Sequence, residues 1–175
     1  MENVKLRALT ITDLPLTLKW HNQPDIVEMY AGHPFPVNEE MERKWYDKIL
    51  TSNFPTTVFG IEYIENKTLI GITLLKDIDM INRSAELAIY IGDTEYKGKG
   101  LSKEATQDTY KFGFFKLGLN RITARVLSEN KTSITMFEKV GFKTEGIMRQ
   151  VLYKNNEFKN VLLMSILKQD VDGNF

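Results

Sequence analysis

Glu95-Tyr-Lys-Gly-Lys-Gly-Leu-Ser102 is the stretch from which the fold is read. It follows the apolar run Leu87-Ala-Ile-Tyr-Ile91, a strand pattern, and opens a helical periodicity that begins near Leu101. Glycines at a strand-to-helix turn let backbone N–H groups approach a ligand with no Cβ in the way. The first turn of the helix adds unpaired N–H groups and a partial positive charge, which together favour phosphate. Lys97 and Lys99 set cationic charge beside them. The stretch reads as a diphosphate cradle made by Lys97, Gly98, Lys99, Gly100, Leu101 and Ser102. The plainer reading is a tight turn with exposed lysines.

Two nucleotide motifs do not fit. The Walker pattern fails because Gly100, not Ser or Thr, follows Lys99, and Gly92 lies one residue too far upstream. The dinucleotide fingerprint fails because the third glycine and an early βαβ unit are missing. Instead, Lys97-x-x-Gly100-x-Ser102 resembles the pyrophosphate loop of the GNAT superfamily of acyl-CoA-dependent N-acetyltransferases, Gln/Arg-x-x-Gly-x-Gly/Ala. Lys stands for Gln/Arg and Ser for Gly/Ala. The resemblance continues in order along the chain. Asn120-Arg-Ile-Thr-Ala-Arg-Val126 is similar to the fifth strand of that family, and Asn130-Lys-Thr-Ser-Ile-Thr-Met-Phe-Glu-Lys-Val-Gly-Phe142 to its Asn-x-x-Ser/Ala…Tyr-x-Lys-x-Gly-Phe helix. It is followed from Glu39 to Leu167, most closely in the RimJ/RimL-like branch.

Bulk composition narrows the function classes. The 175 residues, 42% hydrophobic and 26% charged, suffice for one domain over 1–175 that buries about two-thirds of its unfolded surface. Lys+Arg 23 balances Asp+Glu 23, so no nucleic acid or anionic membrane is expected as a partner. With no cysteine, disulfides, thiolate metal sites and an acyl-cysteine intermediate are excluded. Neither a signal peptide nor an apolar run of about 18 residues is seen, so cytoplasmic is the expected location.

The remaining elements follow from period and punctuation. Alternation over Val4 to Leu9 predicts a first strand, and Thr10 or Thr12 with Asp13 caps a helix over Leu14 to Trp20. A short helix runs from Asp25 to Tyr30, and Gly32-His-Pro-Phe-Pro36 is a loop. Asn38 caps a helix to about Leu50 with Met41, Trp45 and Ile49 as its apolar face. Thr56 to Glu65 and Lys67 to Lys76 form a hairpin, and Ala85 to Ile91 the fourth strand. The helix from Leu101 to Leu117 shows a stripe of Ala105, Phe112 and Phe115, ended by Gly118. Arg121 to Leu127 is a strand, Asn130 caps a helix ending at Gly141, and Phe142 to Tyr153 and Phe158 to Leu167 form a last hairpin before a frayed Val171 to Phe175 tail. The strand–helix–strand around the glycine turn requires one parallel pair in an otherwise antiparallel sheet. The fold class is α/β (α+β), a mixed, mostly antiparallel sheet of about seven strands with helices on both faces. The resemblance implies that the fourth and fifth strands splay apart and that a pantetheine arm lies in the gap.

Acetyl transfer to an amine needs a held thioester, a neutral amine, a stabilised oxyanion and a proton for the leaving thiolate. Backbone groups of Ala88, Ile89 and Ile91 are the natural partners for the first and third if the strand splays; otherwise the strand is fully paired. Glu86 shares a face with Ala88 and Tyr90 and is the expected base, in a cleft or at a solvated edge. Asn130 reads as a helix N-cap and, through the resemblance, as a pantetheine contact with Ser133. Phe137 departs from the family, which commonly places a Tyr acid there. Phenylalanine has no proton to give, which leaves Tyr90, Tyr153 or solvent. The only histidines, His21 and His33, make a poor metal site. With Asn22, Tyr30 and Trp45 they fall where the resemblance implies an acceptor pocket, although Trp45 also fits a core and His33 a loop.

The expected activity is acetyl-CoA-dependent N-acetylation by direct transfer in a ternary complex. The expected acceptor is a small-molecule amine such as an amino sugar or polyamine, and the alternative is a protein N-terminus. A non-catalytic acyl-CoA-binding domain and a scaffold for an unrelated ligand are the rivals. Edge strands after Gly141 fit a homodimer.

Overall fold

A computed structural model describes residues 2–29 and 35–171. Seven strands form one sheet: β1 (Val4–Arg7), β2 (Thr57–Tyr63), β3 (Thr68–Asp79), β4 (Ser84–Ile91), β5 (Arg121–Leu127), β6 (Lys143–Lys154) and β7 (Glu157–Leu167). Their order is β1-β2-β3-β4-β5-β7-β6, and only β4 and β5 run parallel. The helices are α1 (Leu14–His21), α2 (Pro24–Met29), α3 (Glu39–Thr51), α4 (Leu101–Lys111), α5 (Lys131–Lys139) and α6 (Lys168–Val171).

Strand alternation distributes the helices to two faces. Ala85 and Leu87 of β4 pack with Tyr110, Phe114, Ile134 and Phe137 below α4 and α5. Tyr90 turns the other way, toward Trp20 of α1 and Tyr46 of α3. Trp20 fixes α1 against the end of β4, because its buried ring fills the space where a Cβ on Gly92 would lie, 2.0 Å away.

Three expectations are corrected. Met41 is half exposed, and the inward face of α3 is instead Glu42 and Tyr46, with Trp45 and Ile49 partly buried. The stripe of α4 holds Phe114 rather than Phe115, because Phe112–Lys116 forms a π-helical turn that inserts one residue per turn; Leu117 N–H donates to Phe112 O. Val171 is buried at the end of α6 rather than frayed, and residues 172–175 lie outside the described residues. Gly118, at φ +67, ends the α4 segment as expected.

Candidate active site

β4 and β5 pair only over Ser84–Glu86. Beyond that, β4 stays with β3 as far as Gly71↔Ile91, and β5 stays with β7 as far as Leu127↔Val161. The two strands therefore part, and a cavity of about 500 Å³ lies between them. Gly92 N–H donates to Ile70 O at 2.8 Å on the β3 side. Because backbone groups alternate along an extended strand, Ile89 and Ile91 turn their N–H groups into the gap while Ala88 turns toward β3. Unpaired backbone beside a cavity is a site for another extended amide chain.

At one end of the cavity is the glycine turn. Gly98 and Gly100 have φ of +76 and +78, which favour glycine, and a Cβ on either would meet no atom within 4 Å. The glycines are thus required by backbone conformation. Gly98, Lys97 and Ser102 line the cavity. Lys97 Nζ is ion-paired with Asp25 of α2, and this hydrogen bond holds the Asp25 carboxyl below its ordinary range. Lys99 instead lies over the Tyr96 ring at 5.1 Å, and Leu101 is buried among Val4, Ile61, Ile70 and Ala105.

Asn130 caps α5, its Oδ1 accepting from Ser133 N–H at 3.0 Å, while its Nδ2 donates to Met29 O at 3.3 Å. Asn130, Ser133 and Phe137 all line the cavity. Phe137 is buried against Phe142, ring centroids 4.9 Å apart. Lys131, which the sequence did not single out, also lines it and adds a cation at the start of α5.

Glu86 sits where the strands part. Lys76 Nζ of β3 lies 3.0 Å from one carboxylate oxygen and Arg125 Nε of β5 2.9 Å from the other. Neither cation was legible as a site residue, because the three come from three strands and meet only through the register Lys76↔Glu86 and the short β4–β5 contact.

A second polar chain leads away from the cavity at Tyr90. Its hydroxyl is 3.2 Å from His21 Nε2, and His21 Nδ1 is 2.7 Å from Glu42 Oε2. The other oxygen of Glu42 accepts from the Thr17 hydroxyl, which is 3.2 Å from Tyr46 OH. Burial pushes the Tyr46 phenol up to about 12. Trp45 packs edge-on against His21 at 5.3 Å and does not line the cavity. Asn22 is occupied as a clamp between helix and chain: its amide bonds Leu18 O, Val37 O and Val37 N. Tyr30 and His33 lie outside the described residues. Among the described residues no group of three or more His, Asp or Glu is placed to hold a metal ion.

An amide-binding gap, a cationic glycine turn at one end and a carboxylate at the other suit an extended thioester with a diphosphate tail meeting an amine. Known proteins share this fold. The family described as acetyltransferase (GNAT) domain matches residues 3–143. The spermidine N(1)-acetyltransferase of Vibrio cholerae is 31% identical over 163 residues, 93% of this chain and 92% of that one. The crystal structure of the Vibrio cholerae spermidine N-acetyltransferase in complex with CoA and spermine superimposes with a TM-score of 0.90 at 28% identity, covering 97% of this chain and 98% of that one. A dodecameric structure of the same enzyme in an intermediate state gives 0.83 at 27% identity, over 99% of both chains.

Proposed function

The chain belongs to the GNAT acetyltransferase family, and on that premise we propose that this acetyl-CoA-dependent N-acetyltransferase acts on a primary amine of a polyamine. The observation that carries the reading is the gap between β4 and β5, closed at its base by Glu86 and bounded at its mouth by the Lys97–Ser102 turn. Acetyl-CoA, when bound, supplies an acyl group activated as a thioester. The Ile89 and Ile91 N–H groups hold the pantetheine amides and the carbonyl oxygen, and preorganised donors of this kind stabilise the charge that develops there. Lys97, the Gly98 backbone and Ser102 hold the diphosphate, with Asn130 and Ser133 beside the arm. Glu86 faces the incoming ammonium. Relatives that act on spermidine support a polyamine as the acceptor class.

The same reading takes 1–175 as one domain working in the cytoplasm. No helix among the described residues is long and apolar enough to cross a membrane. Ile147, Tyr153 and Phe158, exposed on the outer β6–β7 hairpin, support self-association through that edge.

A second reading, acyl-CoA binding without turnover, rests on Phe137. One experiment separates them: thiol release from acetyl-CoA with spermidine, spermine, putrescine, an amino sugar and a peptide N-terminus, beside thermal melts with acetyl-CoA. Polyamine turnover supports the proposal. Turnover confined to the amino sugar or peptide replaces the acceptor, and a raised Tm with no turnover for any amine favours the second reading.

A further inference from the structure

Glu42 is a carboxylate on a surface-type helix, yet its side chain is 1% exposed. Burying an acid is costly unless it is fully partnered. Its partners are Thr17 on one oxygen and His21 on the other. A carboxylate only accepts hydrogen bonds, so the proton between them sits on His21 Nδ1. His21 Nε2 then carries a lone pair, and the group facing it is the hydroxyl of Tyr90. Tyr90 is on the cavity wall, one residue from the Ile89 and Ile91 backbone groups that face the gap. The chain of contacts thus runs from a buried carboxylate, through an imidazole of fixed tautomer, to a phenol on the same face of β4 as Glu86.

We propose that Tyr90, positioned and polarised by His21 and Glu42, is the proton-exchanging residue of the transfer reaction. This rests on the acetyltransferase reading above and assigns a role that Phe137 cannot fill. The protons balance as follows. The acceptor ammonium gives a proton to the Tyr90 oxygen as the Tyr90 O–H proton passes to His21 Nε2. This leaves a neutral amine and an imidazolium beside the Glu42 carboxylate. The amine nitrogen then bonds to the acyl carbon, the carbon–sulfur bond breaks with its electron pair on sulfur, and the imidazolium returns its proton through Tyr90 to the thiolate. The second N–H proton of the amine leaves to solvent, so one proton is released per acetyl group transferred. Tyr90 is the catalytic residue, and His21 and Glu42 are positioning residues that act through it.

Among the described residues, the charged and titratable groups packed around this chain are few. From α3 they are Glu42 and, beyond the Thr17 hydroxyl, Tyr46. On the same face of β4 is Glu86, held by Lys76 of β3 and Arg125 of β5. From α2 it is Asp25, held by Lys97.

The test compares wild type, Tyr90→Phe and Glu42→Gln in full-length protein, with spermidine and acetyl-CoA from pH 6.5 to 9.5. Tyr90→Phe deletes one oxygen and keeps the ring edge-on against Trp20, 6.2 Å between centroids. The expected result is kcat reduced about 100-fold at pH 7, with KM for acetyl-CoA unchanged within about twofold. The deficit shrinks toward pH 9.5, where the amine loses its proton unaided. Glu42→Gln should lower kcat at least about tenfold with the same pH trend, and a melt establishes that it is folded; if it is not, Tyr90→Phe alone decides. A Tyr90→Phe enzyme within about threefold of wild type, or a deficit constant across pH, overturns the relay while leaving the acetyltransferase reading intact. A wild type that binds acetyl-CoA but transfers to no amine overturns both.

Discussion

Lys97 of the glycine turn and Asp25 of α2 form an ion pair across the mouth of the cavity. The lysine that would meet the cofactor's diphosphate is therefore already oriented, at the expense of a carboxylate that competes for it. Charge-assisted contacts to phosphate are stronger than neutral ones. Lys97→Gln should weaken acetyl-CoA binding about tenfold, or about 1.4 kcal/mol, and flatten its salt dependence. Asp25→Asn should bind as tightly as wild type or tighter. Titration calorimetry of both variants decides: unchanged affinity in Lys97→Gln would remove the cradle.

Glu86 is the second test. Lys76 and Arg125, one on each oxygen, hold its carboxylate in place at the point where the strands part. Glu86→Gln keeps the shape and removes the charge. On the role proposed for Glu86, the acceptor KM should rise about tenfold or more while the Kd for acetyl-CoA stays constant, because the carboxylate would meet the amine and not the diphosphate. Unchanged acceptor KM and turnover would mean that Glu86 only joins three strands.

Phe137 provides a complementation experiment. It is buried beside Phe142 at the cavity wall. With Tyr90 intact, Phe137→Tyr should change kcat less than about threefold. In the Tyr90→Phe background the same substitution should recover at least about tenfold, since it would return a phenol to the cavity wall. A large gain in the wild-type background would show that the reaction lacks an acid altogether.

Acid stability has a local source. The Arg121 guanidinium, then the Ser165 hydroxyl, hold the Glu145 carboxyl down to about 2 from the ordinary 4.5. The folded value lies below the unfolded one, so the stabilisation is present above pH 4.5 and is lost as the pH falls toward 2. The side chain is 36% exposed, so screening reduces the contribution to of order 1 kcal/mol. Urea unfolding at pH 7, 4 and 2.5 should show a smaller acid loss in Glu145→Gln than in wild type. Parallel losses would mean that the pair adds nothing.

Local signals were sufficient for much of this protein. Period-2 alternation and turn residues placed all seven strands to within a few residues, and Arg121–Leu127 was read with the bounds the structure gives. The left-handed turns at Gly98, Gly100, Gly118 and Gly141 were legible because glycine relieves a backbone constraint wherever the chain bends that way. The motif order from the glycine turn to the Asn130 helix carried the fold class and the cofactor.

What the sequence alone did not determine depends on distant residues meeting. Met41 and Phe115 look apolar and are half exposed, while Glu42 looks like a surface acid and is buried, because burial is decided by what packs against a helix and not by its own periodicity. Lys76, Glu86 and Arg125 become one cluster through strand register, and Asn22 is spent on Val37. The Tyr90–His21–Glu42 chain is of the same kind. Its members lie on three elements and are joined only when α1 and α3 settle on the sheet, with Trp20 seated over Gly92. Backbone propensity and periodicity act over a few residues and are written locally, whereas the pairing of buried polar groups is fixed by packing across the whole fold.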